Sequence, residues 1–292
     1  MLLKDLIIKG IGTVSTLYPE DEAKEMVFIL MECLLGTKRY THIIEPSFNV
    51  ADKDVGRVES SFMRLASGEP LQYVTGTACF YGRDFRVGPS VLIPRPETEV
   101  LCRTALDSLR HSGRQHERIL DLCTGSGCIA WTMALERPRA EVVAVDISDD
   151  ALSMASSQDF REEQSRTGAS SPAFIKADVL RDIPDEDPFS EKFDLILSNP
   201  PYVMDKEKKL MRTNVLDHEP HLALFVPDDD PLVFYRAVGA WASRLLAEGG
   251  TGIVEINEAL GSETADVFLD AGFRSAEIIK DFSQRDRFVV FR

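Results

Sequence analysis

The stretch ILDLCTGSGCIA, residues 119–130, decides the fold class of this chain. Its apolar start is typical of a buried strand, its centre is a glycine turn, and its apolar end is typical of a helix. Gly125 can take the positive φ that a tight turn demands, and Gly127 lacks the Cβ that would block a ligand over the helix N-terminus. The stretch predicts a ligand-binding strand–turn–helix unit, with a plain turn as the alternative.

A carboxylate ends the next strand-like run, VVAVD at residues 142–146, about 20 residues after Gly125. The carboxylate of Asp146 can accept hydrogen bonds from both ribose hydroxyls of a nucleoside. Nicotinamide dinucleotides and S-adenosyl-L-methionine can both be held in this way. Ala130 stands where a dinucleotide motif has its third glycine, which weakly favours the methyl donor.

A second acidic residue follows the strand-like run at residues 173–177. Asp178 can accept a hydrogen bond from the amino group of adenine, and Val179 can cover the ring. A solvated aspartate in a loop is an equally good interpretation, because Asp is common where strands end.

The sequence DLILSNPPY, residues 194–202, is the most specific feature of the chain. Pro200 and Pro201 fix their own φ angles and hold Asn199 extended. The side-chain oxygen of Asn199 and the carbonyl of Pro200 can then accept two hydrogen bonds from one planar NH₂ group, beside the aromatic face of Tyr202. Such acceptors predict methylation of an amide or conjugated amine, whose weakly nucleophilic nitrogen must be positioned.

Three regions follow one another along the chain. Helical spacing of apolar residues before Pro70 predicts a helical bundle, and short β-type runs from 72 to 93 predict a hairpin. Beyond Pro94, strands and helices alternate as in a doubly wound parallel α/β sheet. The predicted domains cover residues 1–72, 73–93 and 94–292. The predicted strands are residues 119–123, 142–146, 173–177, 193–198 and 252–256.

Two apolar faces define the predicted bundle, and a further helix over residues 2–17 is weakened by Gly10 and Gly12. The residues of these faces are Met26, Ile29, Leu30, Cys33 and Leu34 in one segment and Val55, Val58, Phe62 and Leu65 in another.

Composition restricts the class of protein further. The chain has 292 residues, with 33 basic and 48 acidic side chains and a net charge of −15, so no general positive field attracts nucleic acid. No apolar run approaches the roughly 18 residues of a membrane span, and the start of the chain does not resemble a signal peptide. Five scattered cysteines fit no complete zinc pattern and indicate a reduced, cytoplasmic protein without a metal site.

The chain resembles the HemK/PrmC family, which methylates the glutamine of the Gly-Gly-Gln motif in peptide chain release factors. Besides the two motifs above, the resemblance rests on PLQY at residues 70–73 with Gly76, VLIPRPETE at 91–99, and Asp281 followed by RDRF at 285–288. It implies a helical domain that docks the release factor, joined by a hairpin to a seven-stranded, Rossmann-like methyltransferase domain whose last strand runs antiparallel.

The resemblance also implies roles for individual residues. The donor S-adenosyl-L-methionine, which leaves as S-adenosyl-L-homocysteine, would contact Asp146 at its ribose, Asp178 and Val179 at its adenine, and Asn199. Its methionine part would contact Cys123, Thr124, Gly125, Ser126 and Gly127. The target glutamine would bind at Asn199, Pro200, Pro201 and Tyr202, with Asn199, Pro200 and Tyr202 catalytic. Arg95, Glu97 and Thr98 would lie near the mouth of the donor site.

Three positions depart from the family pattern. Cys123 and Gln284 stand where glycine is frequent, and Val179 stands where some members have an aromatic residue. Alternative functions are glutamine methylation of a ribosomal protein, methylation of an exocyclic amine of DNA or RNA, and partner binding without catalysis. A dehydrogenase is disfavoured, because the tip at residues 199–202 suits an NH₂ group.

Overall fold

The computed structural model describes residues 1–112, 116–181, 183–184 and 186–292. Two compact units are formed, one by Met1–Thr77 with Arg212–His218 and the other by Ala78–Met211 with Glu219–Arg292. The predicted domain boundaries, after residues 72 and 93, stay a prediction. The helices and strands are α1 Leu3–Val14, α2 Glu20–Leu35, α3 Thr41–Ile44, α4 Asp52–Ala66, α5 Leu71–Thr75, β1 Thr77–Phe80, β2 Arg83–Arg86, α6 Pro96–Ser112, β3 Arg118–Leu122, α7 Cys128–Glu136, β4 Glu141–Asp146, α8 Asp149–Ser156, α9 Arg161–Thr167, β5 Ala173–Lys176, β6 Phe193–Ser198, β7 Val203–Met204, α10 Thr213–His218, β8 Phe225–Val226, α11 Val233–Leu245, β9 Leu246–Glu255, α12 Gly261–Asp270, β10 Ala276–Lys280 and β11 Asp286–Phe291.

The first unit is helical, as predicted. In α4, Val58, Phe62 and Leu65 are buried and form the expected face. The face predicted for α2 is wrong in part, because Ile29 is 47% exposed and Cys33 is exposed. Residues 27–31 of this helix are all apolar, so its sequence does not define a single face, and packing decides which side is buried.

The second unit holds a seven-stranded sheet in the order β10-β11-β9-β6-β3-β4-β5. All neighbouring strands are parallel except that β11 is antiparallel to both β9 and β10, so the predicted fold class is confirmed. The chain runs from β3 outward to β4 and β5, then returns to β6 on the other side of β3. This reversal places the loops after β3 and β6 side by side, where open α/β sheets bind ligands.

Side chains that alternate along each strand pack against helices on both faces of the sheet. Ile119 and Leu195 belong to one apolar cluster with Trp131 of α7, and Leu120 and Ile196 belong to the opposite one. The opposite cluster includes Tyr235 and Trp241 of α11 and Phe268 of α12. The strand β9 begins six residues before its predicted start, directly after α11 ends.

The hairpin strand β2 is held against the sheet domain by two polar side chains. Arg83 forms salt bridges with Glu136 at 2.8 Å and with Glu163 at 2.6 Å. The buried Gln158 accepts a hydrogen bond from the backbone N–H of Arg86 at 2.8 Å and donates to the carbonyl oxygen of Ser126 at 3.2 Å. Gln158 therefore links the hairpin to the glycine turn.

Within the described ranges, no helix combines the length and the apolar character needed to cross a membrane.

Candidate active site

A cavity of about 200 Å³ opens at the carboxyl ends of β3, β4 and β6. It lies at the reversal of strand order, where the fold predicts a ligand. The predicted site residues in its lining are Cys123, Thr124, Gly125, Ser126, Asp146, Asp178, Val179, Asn199 and Pro201, together with Arg95 and Thr98. Gly127, Pro200, Tyr202 and Glu97 are not in its lining.

The glycine turn has a left-handed backbone at three positions. The φ angles are 62° at Cys123, 55° at Gly125 and 78° at Gly127. A Cβ on Gly125 would meet no protein atom within 4 Å, whereas one on Gly127 would lie 3.0 Å from Ala155 and 3.2 Å from Trp131. The missing Cβ of Gly127 therefore allows close packing against α8 and α7, which differs from the steric reason expected from the sequence.

Asp146 turns its carboxylate back toward the glycine turn. One oxygen accepts the backbone N–H of Gly125 at 2.8 Å, and the other accepts that of Ser148 at 3.0 Å. Burial raises the pKa of Asp146, while these N–H donors lower it. Each carboxylate oxygen has a second lone pair, so the group retains acceptor capacity toward the cavity.

Asp178 and Val179 form another part of the wall. One oxygen of Asp178 accepts the backbone N–H of Leu180 at 2.9 Å, and its side chain remains 28% exposed. Val179 is buried, and its carbonyl oxygen accepts a hydrogen bond from Trp241 Nε1 at 3.1 Å. The loop after β5 is thus anchored to α11, and the apolar side chain of Val179 lines the cavity.

The tip after β6 is held from behind by a buried hydrogen-bond chain. Asn199 Nδ2 donates to Thr98 Oγ1 at 3.2 Å, and Thr98 Oγ1 donates to Glu255 Oε2 at 2.7 Å. The hydroxyl of Tyr202 donates to the other oxygen of Glu255 at 3.0 Å. Thr98 is 2% exposed and Glu255 is 1% exposed. Burial raises the pKa of Glu255, and the hydrogen bonds from Thr98 and Tyr202 lower it.

Two carboxylates near the cavity, those of Glu219 and Glu255, were not singled out from the sequence. Glu219 is buried, accepts the backbone N–H of Ile93 at 3.1 Å and forms a salt bridge with Arg95 at 2.6 Å. Glu219 and Glu255 belong to no sequence motif, because the residues they contact lie far away in the chain. The one available signal for Glu255 was an acidic residue near the carboxyl end of the predicted strand at residues 252–256.

Asp121 is fully buried beneath the glycine turn. One of its oxygens accepts the hydroxyl of Thr124 at 2.6 Å, and Oδ1 has no hydrogen-bond partner among the described residues. Desolvation raises the pKa of Asp121 to about 7, partly offset by the bond from Thr124. Its charge state is therefore coupled to the turn that lines the cavity.

This site, on a sheet of this topology, agrees with the family-model comparison. Residues 98–222 match the family model described as the methyltransferase small domain. Residues 13–76 match the model of the PrmC N-terminal domain. A solved methyltransferase from Pyrococcus furiosus superposes with a TM-score of 0.45, at 17% identity over 72% of this chain and 89% of that chain.

Curated relatives define the family more closely. The release factor glutamine methyltransferase of Flavobacterium psychrophilum is 35% identical over 99% of this chain and 98% of its own. The protein of the same name from Bacteroides thetaiotaomicron is 37% identical over 94% of both chains. The chain therefore belongs to the release factor glutamine methyltransferase family, as its resemblance predicted.

Proposed function

We propose that this protein methylates the side-chain amide nitrogen, N5, of the glutamine in the Gly-Gly-Gln motif of peptide chain release factors, in the cytoplasm. Membership of the family supports the reaction and the class of substrate. The observation that carries the proposal is the orientation of the Asn199 amide. Its nitrogen is bound to Thr98, which leaves Oδ1 as the acceptor for an incoming N–H.

The cavity has the chemistry needed for S-adenosyl-L-methionine, which supplies the methyl group when bound. A carboxylate, Asp146, stands beside a glycine turn in which Gly125 leaves the space of a Cβ free of protein atoms. Val179 provides an apolar surface for a purine ring, and Asp178 provides an acceptor for its amino group. We infer that Asp146 holds the ribose and that residues 123–127 hold the methionine part.

The chain's own groups are suited to positioning an amide nitrogen. Amide nitrogen is weakly nucleophilic because its lone pair is delocalised, so its alignment contributes much of the rate. In our proposal, Asn199 Oδ1 and the carbonyl of Pro200 each accept one N–H of the target glutamine. The two acceptors also stabilise positive charge that develops on that nitrogen. Tyr202, whose hydroxyl is bound to Glu255, braces the tip.

Mass spectrometry of a release factor incubated with this protein and S-adenosyl-L-methionine tests the proposal directly. Fragmentation of the peptide that contains Gly-Gly-Gln should locate one added methyl group on the glutamine side chain. A methyl group elsewhere, or none, would contradict the proposed substrate. Titration calorimetry with the donor, run in parallel, would then show whether donor binding survives.

Two variants separate the proposed donor and acceptor roles. Asn199→Ala should abolish turnover and leave donor affinity within about threefold, because its chief role is toward the acceptor. Asp146→Ala should weaken donor binding by about 1.5–3 kcal/mol, the range for a hydrogen bond to a charged group. Wild-type turnover in Asn199→Ala, or wild-type donor affinity in Asp146→Ala, would refute the corresponding assignment.

A further inference from the structure

We propose that Glu255 is a positioning residue, which acts through Thr98 to fix the amide of Asn199 with its oxygen toward the substrate. This inference deepens the proposed function and rests on it for the identity of the reaction. The observation that carries it is the continuous hydrogen-bond chain from Asn199 through Thr98 to Glu255.

The side-chain amide of Asn199 has an acceptor at one end and a donor at the other. Rotation of this amide by half a turn would exchange an acceptor for a donor and turn an N–H toward the target NH₂ group. Thr98 Oγ1 has one hydrogen, so once it donates to Glu255 it can only accept from Asn199. The carboxylate thereby determines which end of the Asn199 amide faces Thr98.

Glu255 lies at the end of β9, beside β6 in the sheet, where Val254 pairs with Ser198. It is 1% exposed, so water does not compete for its oxygens. One oxygen accepts from Thr98 and the other from Tyr202, so this buried carboxylate holds Tyr202 of the tip directly and Asn199 through Thr98.

Burial raises the pKa of Glu255, whereas the hydrogen bonds from Thr98 and Tyr202 and the positive charge of Arg287 act in the opposite direction, toward the ionised, acceptor-only form. Arg287 itself is held by Asp281, which accepts its Nε–H at 3.1 Å and also accepts the backbone N–H groups of Ser283 and Arg285. The turn before β11 therefore supports the site from a distance.

The test compares turnover and binding in matched variants. Glu255→Gln and Thr98→Val should each lower kcat by about tenfold or more and leave donor affinity within about threefold. Because both act on the same amide, the double variant should be little worse than the poorer single variant. Thr98→Ser, which keeps the hydroxyl, should restore most of the turnover that Thr98→Val loses.

Thr104→Val is the matched control, since Thr104 lies six residues further along α6 and its hydroxyl donates to the carbonyl of Val100 in its own helix. If Thr98 and Glu255 had a merely structural role, their variants would show both a lower melting temperature and a smaller fraction of molecules that bind the donor. The effects of the two substitutions would then be additive. A kcat within about twofold of wild type in Thr98→Val and Glu255→Gln would overturn the proposal.

A second readout does not depend on the reaction. The side-chain NH₂ signals of Asn199, assigned by their loss in Asn199→Asp, should show slower hydrogen exchange in wild type than in Thr98→Val or Glu255→Gln. Equal exchange in all three proteins would refute the hydrogen-bond chain. If wild type left the release factor unmodified, the proposed function would fail, and the NMR result would still decide the positioning role.

Discussion

Three non-glycine residues in the described ranges have a left-handed backbone. They are Tyr81, Cys123 and Gln284, with φ angles of 51°, 62° and 62°. This conformation costs a residue with a Cβ about 1–2 kcal/mol. Cys123 and Gln284 are also two of the positions at which the sequence departs from a frequent glycine. The left-handed backbone at Cys123 and Gln284 explains why glycine is frequent at these two positions in the family.

Gln284→Gly should stabilise the protein by about 0.5–1 kcal/mol, because relief of the left-handed strain exceeds the added freedom of the unfolded chain. The side chain of Gln284 is exposed, so little packing is lost. Urea-induced unfolding measures the change. Ser283→Gly is the matched control, since Ser283 is also exposed but has no positive φ. An equal or larger gain in Ser283→Gly would contradict the explanation.

A raised carboxyl pKa at Asp121 makes the stability of the fold depend on pH. In the folded protein this pKa is about 7, against an ordinary value of 3.8. Between these values the folded state holds a proton that the unfolded state releases, so this contribution to stability falls as the pH rises. Above about pH 7 the loss is complete, on the order of a few kcal/mol.

We expect Asp121→Asn to remove this dependence, because the amide cannot ionise and still accepts the hydroxyl of Thr124. The free energies of unfolding at about pH 5 and about pH 8 are compared for both proteins. The wild type should lose more stability on going to the higher pH. The same difference in both proteins would mean that Asp121 does not titrate in this range.

At the scale of single elements, α1 shows how packing gives a glycine its purpose. The helix runs without interruption from Leu3 to Val14, through both Gly10 and Gly12. A Cβ on Gly10 would lie 2.5 Å from the ring of Phe62 in α4, and one on Gly12 would meet nothing within 4 Å. Gly10 therefore allows two helices to approach closely, whereas Gly12 only weakens its helix.

Opposite effects follow for two similar substitutions in α1. Gly10→Ala should destabilise the first unit by about 1–3 kcal/mol, because Phe62 is fully buried and cannot move aside freely. Gly12→Ala should stabilise it by about 0.5–1 kcal/mol through helix propensity alone. Thermal unfolding of the two variants checks both signs. Stabilisation by Gly10→Ala would show that α1 and α4 do not pack as described.

For the whole molecule, the net charge of −15 bears on the class of partner. A polyanion is repelled at long range by an acidic protein unless a basic patch is concentrated on one face. A protein substrate with a basic surface would be attracted by the same field. The charge therefore supports a protein substrate over nucleic acid.

We expect this protein to pass unretained over immobilised heparin or duplex DNA at about 50 mM salt, because it offers no general field for phosphate or sulfate groups. Elution on a rising salt gradient provides the measurement. Retention that salt reverses would reveal a basic patch and favour the alternative in which the target NH₂ group belongs to a nucleic acid base.

Local features could be read from the sequence because each is carried by neighbouring residues. The strand–turn–helix at residues 119–130, the carboxylate at the end of β4 and the rigid tip at residues 199–202 are signals of this kind. The alternation of strands and helices likewise predicted the α/β class. Seven strands with the last one antiparallel followed from the family resemblance.

Tertiary structure alone decided the contacts between distant parts of the chain. Thr98, Asn199 and Glu255 come from α6, the end of β6 and the end of β9, and only the order of strands brings them together. The sequence likewise could not determine which side of α2 is buried, because apolar residues lie all around this helix. Sequence patterns report local conformation and the burial of a face, whereas a hydrogen bond between residues a hundred positions apart depends on the completed fold.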